Sequence, residues 1–160
     1  MSARHVMSLS HGASLLAADR TLFQFWAPDR ARVDLDIDGQ ATRPMRRERD
    51  GWYRIEHGCG AGTRYRYRLG PDLAVPDPAS RHQMDDVHGF SEVVNPAAYR
   101  WRNASWPGRP WEEVVIYEAH AGIMGGFKGL QAKLADLVEL GITAIELMPI
   151  ADFPGPRNWG

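Results

Sequence analysis

From Val114 onward the chain reads as strand, helix, strand, and no other stretch narrows the choice of fold as far. Val114-Val115-Ile116-Tyr117 is a short apolar, β-branched run, and Gly122, Gly125 and Gly126 mark the turn after it. Leu130, Leu134, Leu137 and Val138 then recur at helical spacing, with Gln131, Lys133, Asp136 and Glu139 on the other face. Gly141 follows the last periodic residues, where a helix ends most easily in the left-handed region. Ile142 to Ile150 is almost continuously apolar, as expected of a strand covered on both faces. Antiparallel neighbours could be joined by a tight turn, so a helical crossover predicts parallel strands. The segment from Asp152 to Gly160 then leaves the second strand as a loop, on the side where α/β folds place their ligands.

Upstream the period changes from helical to two. Phe23, Phe25 and Ala27 alternate with Gln24 and Trp26; Val33, Leu35 and Ile37 with Asp34, Asp36 and Asp38; Tyr65, Tyr67 and Leu69 with Arg64, Arg66 and Arg68. Asp50-Gly51 marks a turn before a further strand, Trp52 to Ile55, and Gly58 to Gly62 is a glycine-rich connection. Short strands at this spacing predict an antiparallel sandwich. Asp34-x-Asp36-x-Asp38-Gly39 opens like a calcium loop, but its twelfth position is Met45 rather than a glutamate, so the expectation is an edge or half-exposed strand with a solvated acidic face. The arginine row is likewise expected to be solvated: its aromatic neighbours point to the opposite face, whereas a single-strand nucleic-acid platform needs both on one surface. From Pro71 to Pro110 the chain is proline-rich and irregular, with a short strand near Phe90 to Val94.

Composition sets the remaining bounds. A formal net charge of −1 gives no reason to expect nucleic acid or an anionic membrane as partner. The single cysteine, Cys59, excludes an internal disulfide framework and has no Cys or His at metal-ligand spacing, so no metal or cofactor is expected. Leu15 to Ala18 is too short an apolar run for a secretory signal or a membrane helix, which leads to the expectation of a cytoplasmic protein.

Val115 to His120, Glu139 to Ile150, Phe153-Pro154-Gly155 and Asn158-Trp159-Gly160 resemble the first two β/α units of an α-amylase-superfamily barrel. Within that superfamily they resemble the malto-oligosyltrehalose trehalohydrolase family most closely. Pro76 to Arg81, Val87-His88-Gly89 and Ser91 to Val94 resemble that family's link between its first domain and its barrel, and Phe23 to Pro28 its opening sandwich strand. The resemblance implies an immunoglobulin-like (E-set) β-sandwich of the carbohydrate-binding-module-48 type over residues 1–103, a linker over 104–113, and the start of a (β/α)8 barrel over 114–160. The loop from Gly122 to Gly129 departs from the family in being shorter than most.

The same resemblance implies a glycoside hydrolase acting with retention on the α-1,4 bond of maltooligosyl-trehalose, an α-glucan, to release trehalose. That chemistry needs two carboxyl groups about 5 Å apart across the scissile bond. In the superfamily they and a third carboxylate follow the fourth, fifth and seventh barrel strands, and the chain is expected to stop after the second. No catalytic residue is therefore assigned, and the 160 residues are expected to lack activity by themselves. Asn158 and Trp159 are the first substrate-binding candidates, because an indole face stacks well on a pyranose ring; His120 and Asp152 lie on the corresponding strand-end loops. Glu118 and Glu146 fall near or within strands, where the expectation is a hydrogen-bonded structural carboxylate. Trp101, Trp106 and Trp111 are expected to fill the joint between the domains. Two other readings stand beside this one: a glycogen branching or debranching relative, and a stand-alone glucan-binding module. In each case the uncovered barrel strands would favour self-association.

Overall fold

The computed structural model describes residues 10–103 and 105–155, and it is mostly β-sheet with few helices. The chain divides into two compact units, residues 1–99 and 100–160.

The described residues of the first unit form nine strands: β1 Gly12–Ala17, β2 Arg20–Trp26, β3 Asp34–Ile37, β4 Arg43–Pro44, β5 Arg46–Arg47, β6 Trp52–His57, β7 Arg64–Arg68, β8 Ala74–Val75 and β9 Ser91–Glu92. They form two antiparallel sheets, β1-β2-β6-β5 and β4-β3-β7-β8, the second with β9 also paired to β7. Alternation decides which side chains meet between them. Phe23 and Phe25 of β2, Tyr53 of β6, Leu35 and Ile37 of β3, and Tyr65 and Tyr67 of β7 are all buried in one core cluster with Val33, Met45 and Val93. Phe23 meets Tyr65 edge-on with centroids 4.8 Å apart, and Phe25 meets Tyr67 in a tilted pair at 4.4 Å, so the rings of β2 and β7 meet between the two sheets.

One strand at the front of this unit escapes the period-two reading. β1 pairs with β2 through the turn at Ala18-Asp19, but its register slips between Leu15 and Ala17. That bulge puts two adjacent leucines, Leu15 and Leu16, where alternation would have placed one.

The acidic and basic rows do not form two solvated faces. β3 lies between β4 and β7 rather than at an edge, with Asp34 opposite Arg68 and Asp36 opposite Arg66. Residues opposite one another in antiparallel strands share a face, so the two rows neutralise each other. Asp36 is buried and accepts from both Arg66 Nε and Arg68 Nε at 2.9 Å, and Arg32 Nε donates to Asp34 at 2.9 Å. Phe90 lies under the guanidinium groups of Arg64 and Arg66, 5.3 and 4.3 Å from its ring centroid.

A second buried carboxylate ties the proline-rich segment down. Asp77 Oδ2 accepts from the Tyr65 hydroxyl at 2.7 Å and the Tyr67 hydroxyl at 3.3 Å, Asp77 Oδ1 accepts from the Ala79 N–H at 2.8 Å, and the Asp77 N–H donates to Ser91 Oγ at 3.0 Å. Burial pushes the Asp77 carboxyl above its ordinary value of 3.8; the hydrogen bonds from Tyr65, Ala79 and Tyr67 act against that rise. Burial also pushes both tyrosine hydroxyls well up, so each remains a donor.

The second unit contains strand β10 Ile116–Ala119, helices α1 Gly126–Ala132 and α2 Leu134–Glu139, and strand β11 Ala144–Leu147. β10 and β11 are parallel, with Ile116 opposite Ala144 and Ala119 opposite Leu147. The first strand begins two residues later than the apolar run, because Thr143 Oγ1 takes the Val115 N–H at 2.7 Å in place of a ladder partner. The single expected helix is two, which meet at Lys133. Leu130 and Leu137 are its buried residues. It closes as predicted at Gly141, whose φ is 92°: the Gly141 N–H donates to the Val138 carbonyl at 3.0 Å and the Ile142 N–H to the Leu137 carbonyl at 2.9 Å. Ile116 and Leu147 are exposed, so the two faces of the pair are incompletely covered among the described residues. Likewise, no described helix is long and apolar enough to cross a membrane.

Candidate functional site

The carboxyl ends of β10 and β11 open onto one small cavity of about 190 Å3, lined by His120, Ala121 and Gly122 after β10, Met148, Pro149, Ile150 and Phe153 after β11, and Phe127 from α1. Parallel pairing brings these two loops together: both strands run the same way, so both following segments emerge at the same end. The Met148 N–H donates to the Ala119 carbonyl at 3.0 Å, extending the ladder by one bond and holding the two exits side by side. Ligand pockets commonly enclose about 300–1,000 Å3, so the wall formed by these residues encloses less than a usual site. That wall is apolar apart from His120.

His120 is half-buried, and its Nδ1 accepts from the Ile123 N–H at 3.2 Å. Asp152 is exposed and does not line the cavity, although its neighbour Phe153 does. Asn158 and Trp159 lie outside the described residues. Phe127 is a lining residue that the sequence reading passed over. The signal for it was its place in the first turn of α1, directly after the Gly125-Gly126 pair that starts the helix beside the strand ends.

Glu118 and Glu146 stand directly opposite each other in the parallel register, both exposed, and among the described residues neither has a hydrogen-bond or ion-pair partner. The expected hydrogen-bonded structural role is therefore not met. Nor do the two straddle a space as a retaining pair must: they come side by side from adjacent strands of one sheet. Trp101, Trp106 and Trp111 are all exposed.

The first unit has a larger open concavity of about 640 Å3, lined by Asp29, Arg30, Arg32, Asp34 and Arg68 among others. Its Arg32 is already paired with Asp34 and its Arg68 with Asp36, so most of its charge is spent within the fold. The strand-end cavity combines an apolar wall with a histidine donor and is the better candidate for a ligand.

No family model matches the chain. It is 42% identical over 149 residues to a malto-oligosyltrehalose trehalohydrolase of Saccharolobus solfataricus, covering 91% of this chain and 26% of that protein. A malto-oligosyltrehalose trehalohydrolase of Mycobacterium tuberculosis is 43% identical over 146 residues, covering 86% of this chain and 25% of that protein. The crystal structure of a candidate α-amylase from Salmonella typhimurium superposes with a TM-score of 0.87 at 44% identity, over 96% of this chain and 27% of that one. The chain spans about a quarter of the length of the curated relatives it matches. Across nearly all of its own length the chain is similar to malto-oligosyltrehalose trehalohydrolases, and its fold is similar to that of the matching part of the Salmonella typhimurium protein.

Proposed function

We propose that the chain is the leading portion of a glycoside hydrolase that cleaves the α-1,4-glucosidic bond next to the trehalose end of a maltooligosyl-trehalose, so that trehalose leaves with the bridging oxygen and water takes its place at the glucan's anomeric carbon. One observation carries this reading: identity above 40% to trehalohydrolases over 86–91% of the chain. In this reading residues 1–103 are an immunoglobulin-like sandwich, 104–113 a linker, and 114–160 the opening of a (β/α)8 barrel whose first two strands are β10 and β11. The strand-end cavity then lies on the catalytic face of that barrel. The contribution of this part of the enzyme is binding: His120 and the apolar wall would meet a sugar ring, and Asp152, Asn158 and Trp159 are the further residues proposed to bind substrate. The described residues supply no pair of carboxylates placed to act as nucleophile and acid, which retention requires.

The test is to express the reading frame that carries this sequence through to its natural stop codon and to assay the product beside the 160-residue chain on maltotriosyl-trehalose. Trehalose release by the extended product and none by the 160 residues is expected. Formation of α-1,6 branches from amylose in place of trehalose release would replace this reading with a branching enzyme.

A further inference from the structure

The turn after β10 fastens His120 at both its ring and its backbone. The Ile123 N–H donates to His120 Nδ1 at 3.2 Å, and the Met124 N–H donates to the His120 carbonyl at 3.2 Å. Two further bonds close the turn: the Gly125 N–H to the Gly122 carbonyl at 3.2 Å and the Gly126 N–H to the Ala121 carbonyl at 2.7 Å. The Ile123 amide is therefore not free to swing away from the ring. An imidazole nitrogen that accepts a hydrogen bond carries no proton, so the neutral ring has its proton on Nε2. Among the described residues Nε2 has no partner.

Gly122 gives the ring its room. A Cβ at this position would lie 3.0 Å from His120 Cε1 and 3.3 Å from Nδ1, tight against the edge of the ring where the Ile123 amide bonds. A side chain there requires the imidazole to give by a few tenths of an ångström, against the edge that takes the amide bond.

We infer that the Gly122-Ile123 turn presets His120 as an Nε2–H donor for an oxygen acceptor of an uncharged ligand in the strand-end cavity, with Gly122 as the positioning residue. The wall that accompanies the donor, Phe127, Met148, Pro149, Ile150 and Phe153, is apolar and uncharged and suits the C–H face of a pyranose whose hydroxyl accepts from Nε2. Because Nδ1 is occupied by the backbone, His120 serves here as a donor and not as a base through that nitrogen. The choice of a sugar as ligand rests on the function proposed above; the preset tautomer does not.

The experiment has two arms. Long-range proton–nitrogen spectra of the labelled 160-residue chain, at a pH where the ring is neutral and with His120 assigned from its loss in His120→Gln, should show the Nε2–H pattern. Gly122→Ala should convert it to a mixture of tautomers. An Nδ1–H pattern or tautomer averaging in the unsubstituted chain would overturn the inference. In the second arm the chain and its variants are titrated with maltoheptaose. His120→Gln, whose amide nitrogen reaches the Nε2 position, should retain binding, whereas His120→Asn and His120→Ala should each weaken it about tenfold, the value of one such hydrogen bond. Equal losses in the Gln and Ala variants would sink the donor role. If maltoheptaose does not bind the unsubstituted chain, the sugar assignment falls together with the binding role proposed for this segment, while the spectra still decide the tautomer.

Discussion

Asp36 on β3 and Arg66 on β7 stand directly opposite each other in the antiparallel register, and the arginine Nε donates to Asp36 Oδ2 at 2.9 Å. Arg68 donates to the same oxygen at the same distance, so a carboxylate only 6% exposed balances two guanidinium groups. Removing the acid strands two adjacent cations, whereas removing either arginine leaves the other pair intact. Asp36→Ala is therefore expected to destabilise the first unit by about 2–4 kcal/mol, and Arg66→Ala or Arg68→Ala singly by about 0.5–1.5 kcal/mol, since both arginines are about a third exposed and partly screened. Urea unfolding followed through the near-UV signal of the buried tyrosines measures this. Equal losses from the acid and from one arginine would contradict the shared role.

Asp77 predicts a pH dependence of the opposite sense to an ordinary ion-paired acid. Its carboxyl is held above 3.8 in the folded chain, chiefly by burial, so the folded state binds its proton more tightly than the unfolded state does. The stabilising contribution of this group is greatest below its unfolded value. It is lost as pH rises from there through the raised folded value, and is level beyond. Asp77→Asn keeps acceptor capacity for Tyr65 and Tyr67 but cannot ionise, and should flatten the fall in stability across this window. Asp77→Ala leaves the tyrosine hydroxyls and the Ala79 amide without their acceptor and should cost about 2–3 kcal/mol. Unfolding curves collected from about pH 4 to about pH 7 compare the three chains; an unchanged slope in the Asn variant would show that another group carries the dependence.

How much of this was readable beforehand follows the range of the interaction. Tyr65 and Tyr67 declared their buried face through alternation with Arg64, Arg66 and Arg68, because the period of a strand is local. The same holds for Gly141, whose capping bonds involve residues three to five positions away. The fate of Asp36 was not local. Whether an acidic row meets water or an arginine row depends on which strand lies alongside, and that is a property of the sheet order β4-β3-β7. β1 was hidden by its bulge, and the start of β10 by a threonine side chain standing in for a ladder partner. At the candidate site, His120 was recognisable as a strand-end residue, but its fastening to Ile123 depends on the conformation of the turn.

The opening of the second unit predicts where the chain is cut. The described residues of 100–113 carry no strand, only a short helical turn at Trp111–Glu113, and each of their side chains is exposed. Brief digestion with trypsin should cleave first after Arg100 or Arg102 and release an intact first unit. Earlier cleavage at Arg66 or Arg68, whose backbone lies within a sheet, would count against a separable sandwich.

The second unit predicts association. β10 and β11 pair only with each other among the described residues, so each has an outer edge of unpaired N–H and C=O groups. Phe127, Leu134 and Val138 lie beside Leu130 and Leu137 on the apolar side of the helical segment, yet all three are exposed, Val138 at 70%. Ile116, Leu140 and Leu147 extend the exposed apolar surface onto the strand pair and the helix end. Surfaces of this kind drive self-association when nothing covers them. At equal concentration the 160-residue chain should therefore sediment as larger species than a chain ending at Asn103. Val138→Lys with Phe127→Lys should reduce that association without altering the tyrosine signal of the first unit. Backbone amides of β10 and β11 should exchange faster than those of β2 and β7, which lie inside their sheets. A monodisperse monomer at high concentration, with the β10 and β11 amides strongly protected, would show that the parallel pair is covered within this chain and would remove the main physical reason for reading it as the opening of a barrel.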